Sequence, residues 1–576
     1  MKRQIYLIAF SFIALLSCNQ SVKKTTSTNR ADAIYYGGDI ITMEGNSGNY
    51  AEAVAIKNGK IVFVGTKAEA EKMRGDSTVM NDLQGKTLIP GFIDGHSHLT
   101  NYADALLQAD LNPPPIGKVN SIADIITALK ELKEKTKASD TAWLVGVGYD
   151  QDFLKEKRHP TADDLDPAFP TNPVILKHTS GHMLVANSAA FKAAGITAST
   201  PDPPTGGTFI RRKGTNVPEG LVQETAAYVF FPFISKPLPM EQEMDKLKKA
   251  QDYYASCGVT TAADHLVLSD KMAIFEYAAK HNNLFLDMEV LPVFLMAKEL
   301  IGTGKINWGT YNHHLKYAGL KMVIDGSPQG KTAFLSKPYN TPVPGCTHDC
   351  KGFPNLTQQQ VNDLFLLCYK NNVQLFSHCN GDAAIDMMIK GHEYAIATLK
   401  DSAKDHRTVI VHSQIMRPDQ LDTYKKYNLF PSFFTNHTYY WGDVHLANLG
   451  KERGNFISPM KSAIEMGIRC TNHTDNIITP LDQLFLLWTS VNRLSRSGKV
   501  IGANQRVSAY QGLQALTING AYEYFEEDTK GSLKSGKLAD LVVLDKNPLK
   551  VDVMKIKDIK VLETIKEGKI IYKRNQ

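Results

Sequence analysis

His96 and His98 stand one residue apart at the end of the apolar run Leu88-Ile89-Pro90-Gly91-Phe92-Ile93-Asp94-Gly95. In an extended strand side chains alternate between faces, so both imidazoles project to the same side and can hold one ion between them. Imidazole suits zinc and similar first-row metals, and two ligands on one rigid strand already define half of a tetrahedral site. Two further buried-looking runs end in the same way: Val373-Gln374-Leu375-Phe376-Ser377 stops at His378, and Thr408-Val409-Ile410-Val411 stops at His412. A single histidine of that kind reads as a satisfied core residue. Two at the same relative position on neighbouring strands, beside a His-x-His pair, read as ligands. The chemistry such a set supports is hydrolysis by a metal-activated water.

Histidines drawn from separate strands meet only on a scaffold whose strands end at one face. Eight candidate parallel strands begin near Phe92, Val259, Leu286, Ala318, Val373, Thr408, Leu429 and Ile468. Most intervals hold helix-length segments such as 358–370 and 418–427. This is the repeat of an α/β fold, a (β/α)8 TIM barrel, whose chemistry sits at the C-terminal ends of its strands. The interval between the first two strands is too long for one crossover, so about 101–249 is expected to form an inserted subdomain over the mouth. Before the barrel, Ala51-Glu52-Ala53-Val54-Ala55-Ile56 and Ile61-Val62-Phe63-Val64 are joined through Asn58-Gly59, a strong hairpin signal. Ile565-Lys566-Glu567-Gly568-Lys569-Ile570 echoes that hairpin at the other end. Residues 31–86 and 530–576 are therefore expected to build one β-sandwich domain beside a barrel at 87–529.

At 576 residues, 43% of them hydrophobic, the chain has material for two or three domains. A formal charge of +6 without a block of lysine or arginine argues against a nucleic-acid partner. Lys2 and Arg3 precede an apolar run from Ile5 to Leu16, too short to span a bilayer comfortably and shaped like an export signal. Leu15-Leu16-Ser17-Cys18 resembles the bacterial lipobox. That resemblance implies a signal peptide at 1–17, lipid on Cys18, a polar tether at 18–30, and an exported cell-envelope lipoprotein, periplasm-facing and held to the membrane by its lipid. Of the other six cysteines, Cys346 and Cys350 flank His348 in a Pro/Gly-rich loop, where a short disulfide, a free pair and a metal contact all remain open. Cys257, Cys368, Cys379 and Cys470 lie in or beside apolar segments and read as small core residues.

Pro90-Gly91-Phe92-Ile93-Asp94-Gly95-His96-Ser97-His98 resembles the first-strand motif of the amidohydrolase superfamily, and further segments resemble its YtcJ-like branch (amidohydrolase 3 type), over nearly the whole chain after the leader. Gly531 to Asp545 is similar to another family signature, a strand entering the β domain. The family's His-x-x-Gly-Asp-Ala segment matches His378 to Ala383. The Ser-Asp-x-Pro region falls on Thr474-Asp475-Asn476-Ile477, with threonine where the family usually has serine and isoleucine where it usually has proline. The resemblance thus implies metal ligands His96, His98, His378, His412 and Asp475, and it puts Asp475 in the site rather than His473, which shares its face.

The segment ahead of Asp325-Gly326-Ser327 selects Lys321. Burial disfavours an ammonium, and a lowered pKa frees the amine to react with carbon dioxide, giving a carbamate able to bridge two metals. A lysine paired with Asp325 or reaching solvent is the alternative. The family's Gly-His segment puts His182 against substrate, and His437 and Trp441, after the seventh strand, are candidates for the pocket wall. The implied activity is hydrolysis of a carbon-nitrogen bond other than a peptide bond in a small molecule, with one or two divalent ions, zinc foremost, and Asp475 carrying the proton. The alternatives are a mononuclear hydrolytic deaminase and a catalytically inactive lipid-anchored binding protein.

Overall fold

A computed structural model describes residues 30–234 and 238–575; the leader, Cys18 and all but the last residue of the tether lie outside the described residues. Parallel strands run through the centre, buried along most of their length, which is why they read as near-continuous apolar runs. Phe92–Ser97, Val259–Val267, Asp287–Pro292 and Leu315–Tyr317 form one parallel arc. Leu320–Val323, Leu375–Gly381, Val409–Ile415, Phe430–Phe433 and Thr471–Asn472 form a second. Only Ala318 and Gly319 separate the arcs. Ala318 N donates to Val290 O at 3.1 Å on one side, and Leu320 N donates to Gln374 O at 2.9 Å on the other. At the opposite edges, Asp475 N donates to His96 O at 3.2 Å and His98 N to Asn476 O at 2.6 Å.

Helices alternate with these strands, and their ends are written locally. Gln358–Lys370 starts on a Thr357/Gln360 capping box, and Pro418–Tyr427 begins with proline, whose missing N–H costs nothing there, and stops at Asn428 in a left-handed cap. Between the first two strands of the first arc lies a separate six-stranded sheet, ordered Gly207–Arg211, Pro218–Glu224, Met183–Ala186, Val174–His178, Leu144–Tyr149, Ala109–Asp110. Its core includes Leu111, Ile125, Leu129, Leu144, Val174 and Leu176.

Both chain ends share one eight-stranded sheet. Thr87–Pro90 pairs antiparallel with Leu541–Leu544, and beyond them lie Val561–Lys566 and Lys569–Lys573 on one side, Ala33–Ile41, Tyr50–Lys57 and Lys60–Gly65 on the other. The two echoing hairpins turn alike, with φ of 49° and 74° at Asn58-Gly59 and 48° and 75° at Glu567-Gly568, the paired positive values that a two-residue turn needs. A buried ionic network ties this sheet to the parallel strands. Lys566 reaches Asp287 at 2.8 Å and Asp540 at 2.9 Å; Lys530 pairs with Asp287 and Glu526; Lys316 pairs with Glu526 at 2.7 Å. Cys346 and Cys350 are joined as a disulfide, and Cys257, Cys368, Cys379 and Cys470 are free. Among the described residues no helix is long and apolar enough to cross a membrane.

Candidate metal centre

The C-terminal ends of the parallel strands converge on a buried group. One ligand atom each from His96, His412, His473 and Asp475 lies within 4.8 Å of the others. His96 comes from the strand Phe92–Ser97, and His98 follows it on the same side, the two rings 5.2 Å apart and edge-on. Gly95 between Asp94 and His96 is required by a close approach. A Cβ there would lie 2.2 Å from Glu523 Oε2, a carboxyl packed beneath the strand. Thr474 Oγ1 donates to Asp94 Oδ2 at 3.2 Å, so the threonine keeps the hydroxyl of the serine expected there. His412 and Asp475 both sit at positive φ, 76° and 51°, a strain of about 1 to 3 kcal/mol each that side chains at functional sites often carry.

Asp475 Oδ1 lies 3.1 Å from His96 Nε2 and 3.3 Å from His98 Nε2, buried and without a well-formed hydrogen bond. Burial pushes the Asp475 carboxyl up, but the adjacent His98 and His412 rings more than offset this and hold it well below the usual carboxylate range. Burial pulls the other way on imidazoles, driving His96 and His412 well below the ordinary histidine value and His473 down to about 3. Neutral imidazole lone pairs and one ionised carboxylate, with an unpartnered oxygen among them, fit a divalent cation. A second grouping, Asp287, His314 and Glu567, does not, because Lys530 and Lys566 already neutralise Asp287. A cavity of about 460 Å³ lined by Leu107, Trp143, Lys246 and Lys271 also lies apart from the centre, with none of these ligands in its wall.

The amidohydrolase family model matches residues 80–572. The chain belongs to the amidohydrolase family. It is 25% identical over 561 residues to the N-substituted formamide deformylase of Arthrobacter pascens, covering 95% of this chain and 99% of that one. It is 26% identical over 569 residues to the Bacillus subtilis protein YtcJ, covering 94% and 100%. An uncharacterized metal-dependent hydrolase from Pyrococcus horikoshii OT3 shares the fold, with a TM-score of 0.70 at 23% identity over 90% of this chain and 99% of that one.

The remaining expected residues surround the centre of this amidohydrolase at different depths. His378 Nδ1 lies 3.1 Å from His412 Nε2, one ring outward from the tight group. Lys321, 1% exposed, has its Nζ 3.4 Å from both ring nitrogens of His96 and makes no pair with Asp325, whose carboxylate accepts from the backbone of Phe334, Asn380 and Gly381. Burial brings the Lys321 amine down to about 7, with Asp475 opposing. His182 reaches in from the inserted sheet, its ring 4.8 Å from that of His378. Burial lowers His182, and Glu224 more than offsets it, so the ring is held above its ordinary value.

His437 and Trp441 stand one ring out from the centre, behind Phe434. His437 is stacked on His445 and Trp441 Nε1 donates to Asp150 Oδ2 at 2.8 Å, while Phe434, 5.1 Å from His473, contacts His437. Two residues enter that the motifs leave out. His473 belongs to the tight group itself. His265 packs edge-on to His96 at 4.1 Å with its Nδ1 buried and unpartnered. Its signal in the chain is weaker than that of His378 or His412, since Asp264 separates it from the run Val259 to Ala263.

Proposed function

We propose that the chain is a hydrolase of a carbon-nitrogen bond other than a peptide bond, built on a (β/α)8 barrel whose two arcs join through 315–323 and through the backbone contacts of His96 and His98. The observation that carries the reading is Asp475 Oδ1, buried between two imidazole nitrogens without a well-formed hydrogen bond to either. When bound there, a divalent ion, zinc being suited to these donors, supplies Lewis-acid activation of water and of a carbonyl oxygen. Asp475 does the proton work. With Oδ1 turned to His96 and His98, its Oδ2, 3.9 Å from His412 Nε2, takes a proton from the attacking water and returns it to the leaving nitrogen. His182 holds the acyl group from the opposite side. Lys321, its amine brought down to about 7 by burial, would in its neutral form add to carbon dioxide and release a proton, and the carbamate so formed would offer an anionic oxygen donor for a second ion.

The likeness to an N-substituted formamide deformylase supports an N-formyl or N-acyl amine as substrate. The apolar cluster of Phe434, Tyr440, Trp441 and Ile478 beside His473 supports an apolar substituent on the nitrogen. The test is amine release from a panel of N-formyl and N-acyl amines by the purified protein. Hydrolysis should vanish with a chelator and return with zinc. Ammonia released from aminated heterocycles in the same panel, with no amide cleaved, would replace this reading with a deaminase. Binding without turnover would leave only a binding protein.

A further inference from the structure

The inserted sheet reaches the metal centre through two adjacent strands. Met183–Ala186 and Pro218–Glu224 are antiparallel neighbours with Met183 opposite Gln223, so His182 and Glu224 leave the sheet side by side. Glu224 N donates to His182 O at 2.8 Å. Their side chains meet as well: His182 Nδ1 lies 2.9 Å from Glu224 Oε2, and Asn355 Nδ2 donates to that oxygen at 3.1 Å. The carboxylate side chain is 2% exposed and the imidazole 17%, so the acid stands behind the ring and the ring faces the open side.

Holding Glu224 there is costly. Its backbone adopts φ 50° and ψ −128°, a conformation that residues with a Cβ rarely take. Its Oε1 is buried without a hydrogen bond and sits where a Cβ on Gly326 would come within 2.0 Å. A carboxylate serving only the interior of the sheet would be expected to satisfy both oxygens on relaxed backbone. Strain kept at a ligand-facing position is the mark of a group whose placement matters.

We propose that Glu224 is the positioning residue for His182. By accepting Nδ1–H it fixes the plane and tautomer of the ring and aims Nε2 at the acyl group of the substrate, so the inserted subdomain supplies the element that recognises the bond to be cleaved. Carboxylates orient ligating imidazoles in the same way. The inference rests on the hydrolase reading above, and Asn355 and Gly326 serve it by anchoring one carboxylate oxygen and making room for the other.

The test uses the full-length zinc-loaded protein, the N-formyl amine hydrolysed best in the panel, and zinc content measured on the same samples. Glu224→Ala should leave zinc content unchanged and lower kcat/KM by roughly 10- to 100-fold. Glu224→Gln, which still offers an oxygen to Nδ1–H and preserves shape, should lose less. His182→Ala should lose no more when combined with Glu224→Ala, since both act through one ring. An independent reading comes from 15N-histidine spectra, with His182 assigned by its disappearance in His182→Ala. Nδ1 should be protonated in the wild type, and the proton should redistribute to Nε2 in Glu224→Ala. Unchanged His182 signals in that variant, or losses that multiply in the double variant, would overturn the inference. A wild type that cleaves no amide would defeat the hydrolase reading instead, while the spectra still decide the role of Glu224.

Discussion

Asp475 is asked to do two things, hold an ion and carry a proton, and a substitution separates them. Asparagine keeps the shape but cannot take the proton, so Asp475→Asn should lower turnover by about 10² to 10⁴ even at saturating zinc. Near-normal turnover with zinc bound would move the proton to another group, His473 being the neighbour. Lys321 makes a second expectation at this scale. Its amine has no carboxylate partner and lies against His96, so Lys321→Ala should lower bound metal toward one equivalent, with partial rescue by small carboxylates. Full metal content and activity in that variant would make the lysine structural. How much of the site could be read in the chain depended on the residue. His96, His98 and His412 were legible as candidate ligands from their types and spacing, and Asp475 from the resemblance of its loop to a family motif. His473 was hidden by a motif that favours its neighbour, although both share a face two residues apart. Glu224 left no trace, since its partner His182 meets it only through the pairing of two strands.

The elements were easier to read than their breaks. The parallel strands begin within a few residues of the expected positions because strands buried on both faces need unbroken apolar runs. The fourth could not be read in full: the stretch from Leu315 to Val323 pairs first with Asp287–Pro292 and then, past Gly319, with Leu375–Gly381, a change of neighbour that leaves no periodicity. The first strand yields a prediction from its own packing. Gly95→Ala would drive a methyl into Glu523 Oε2, costing about 1 to 3 kcal/mol as overpacking does and displacing His96 from the centre. Glu523→Ala in the same background should recover part of that loss, giving a coupling of opposite sign to the two single effects. Strictly additive denaturation midpoints would show that the strand avoids the clash by another route.

For the whole molecule, the repeated hairpin and the resemblance of 531–545 to a family signature pointed to a shared β domain, and the two ends meet in one sheet through Thr87–Pro90 and Leu541–Leu544; the network beneath was not legible, because lysines and acids far apart in the chain carry no sign of each other. Asp287, Asp540, Lys530 and Lys566 are all buried. Lys566→Met should therefore cost about 3 to 5 kcal/mol by leaving Asp287 and Asp540 short of a cation, and the shift in urea midpoint measures it. A negligible shift would mean that Lys530 alone balances the acids. The shared sheet also sets a clock. Asp39 accepts a hydrogen bond from Asn547, 508 positions later, and at synthesis rates of about 5 to 20 residues per second the first partner waits roughly 25 to 100 s for the second. Through that interval Thr87–Pro90, the strand that leads into Phe92–Ser97, has an open edge where Leu541–Leu544 will lie. Nascent chains stalled before residue 541 should thus be captured by chaperones and remain protease-sensitive, however complete their histidine ligands, because the last residues made are the ones that close the first strands laid down.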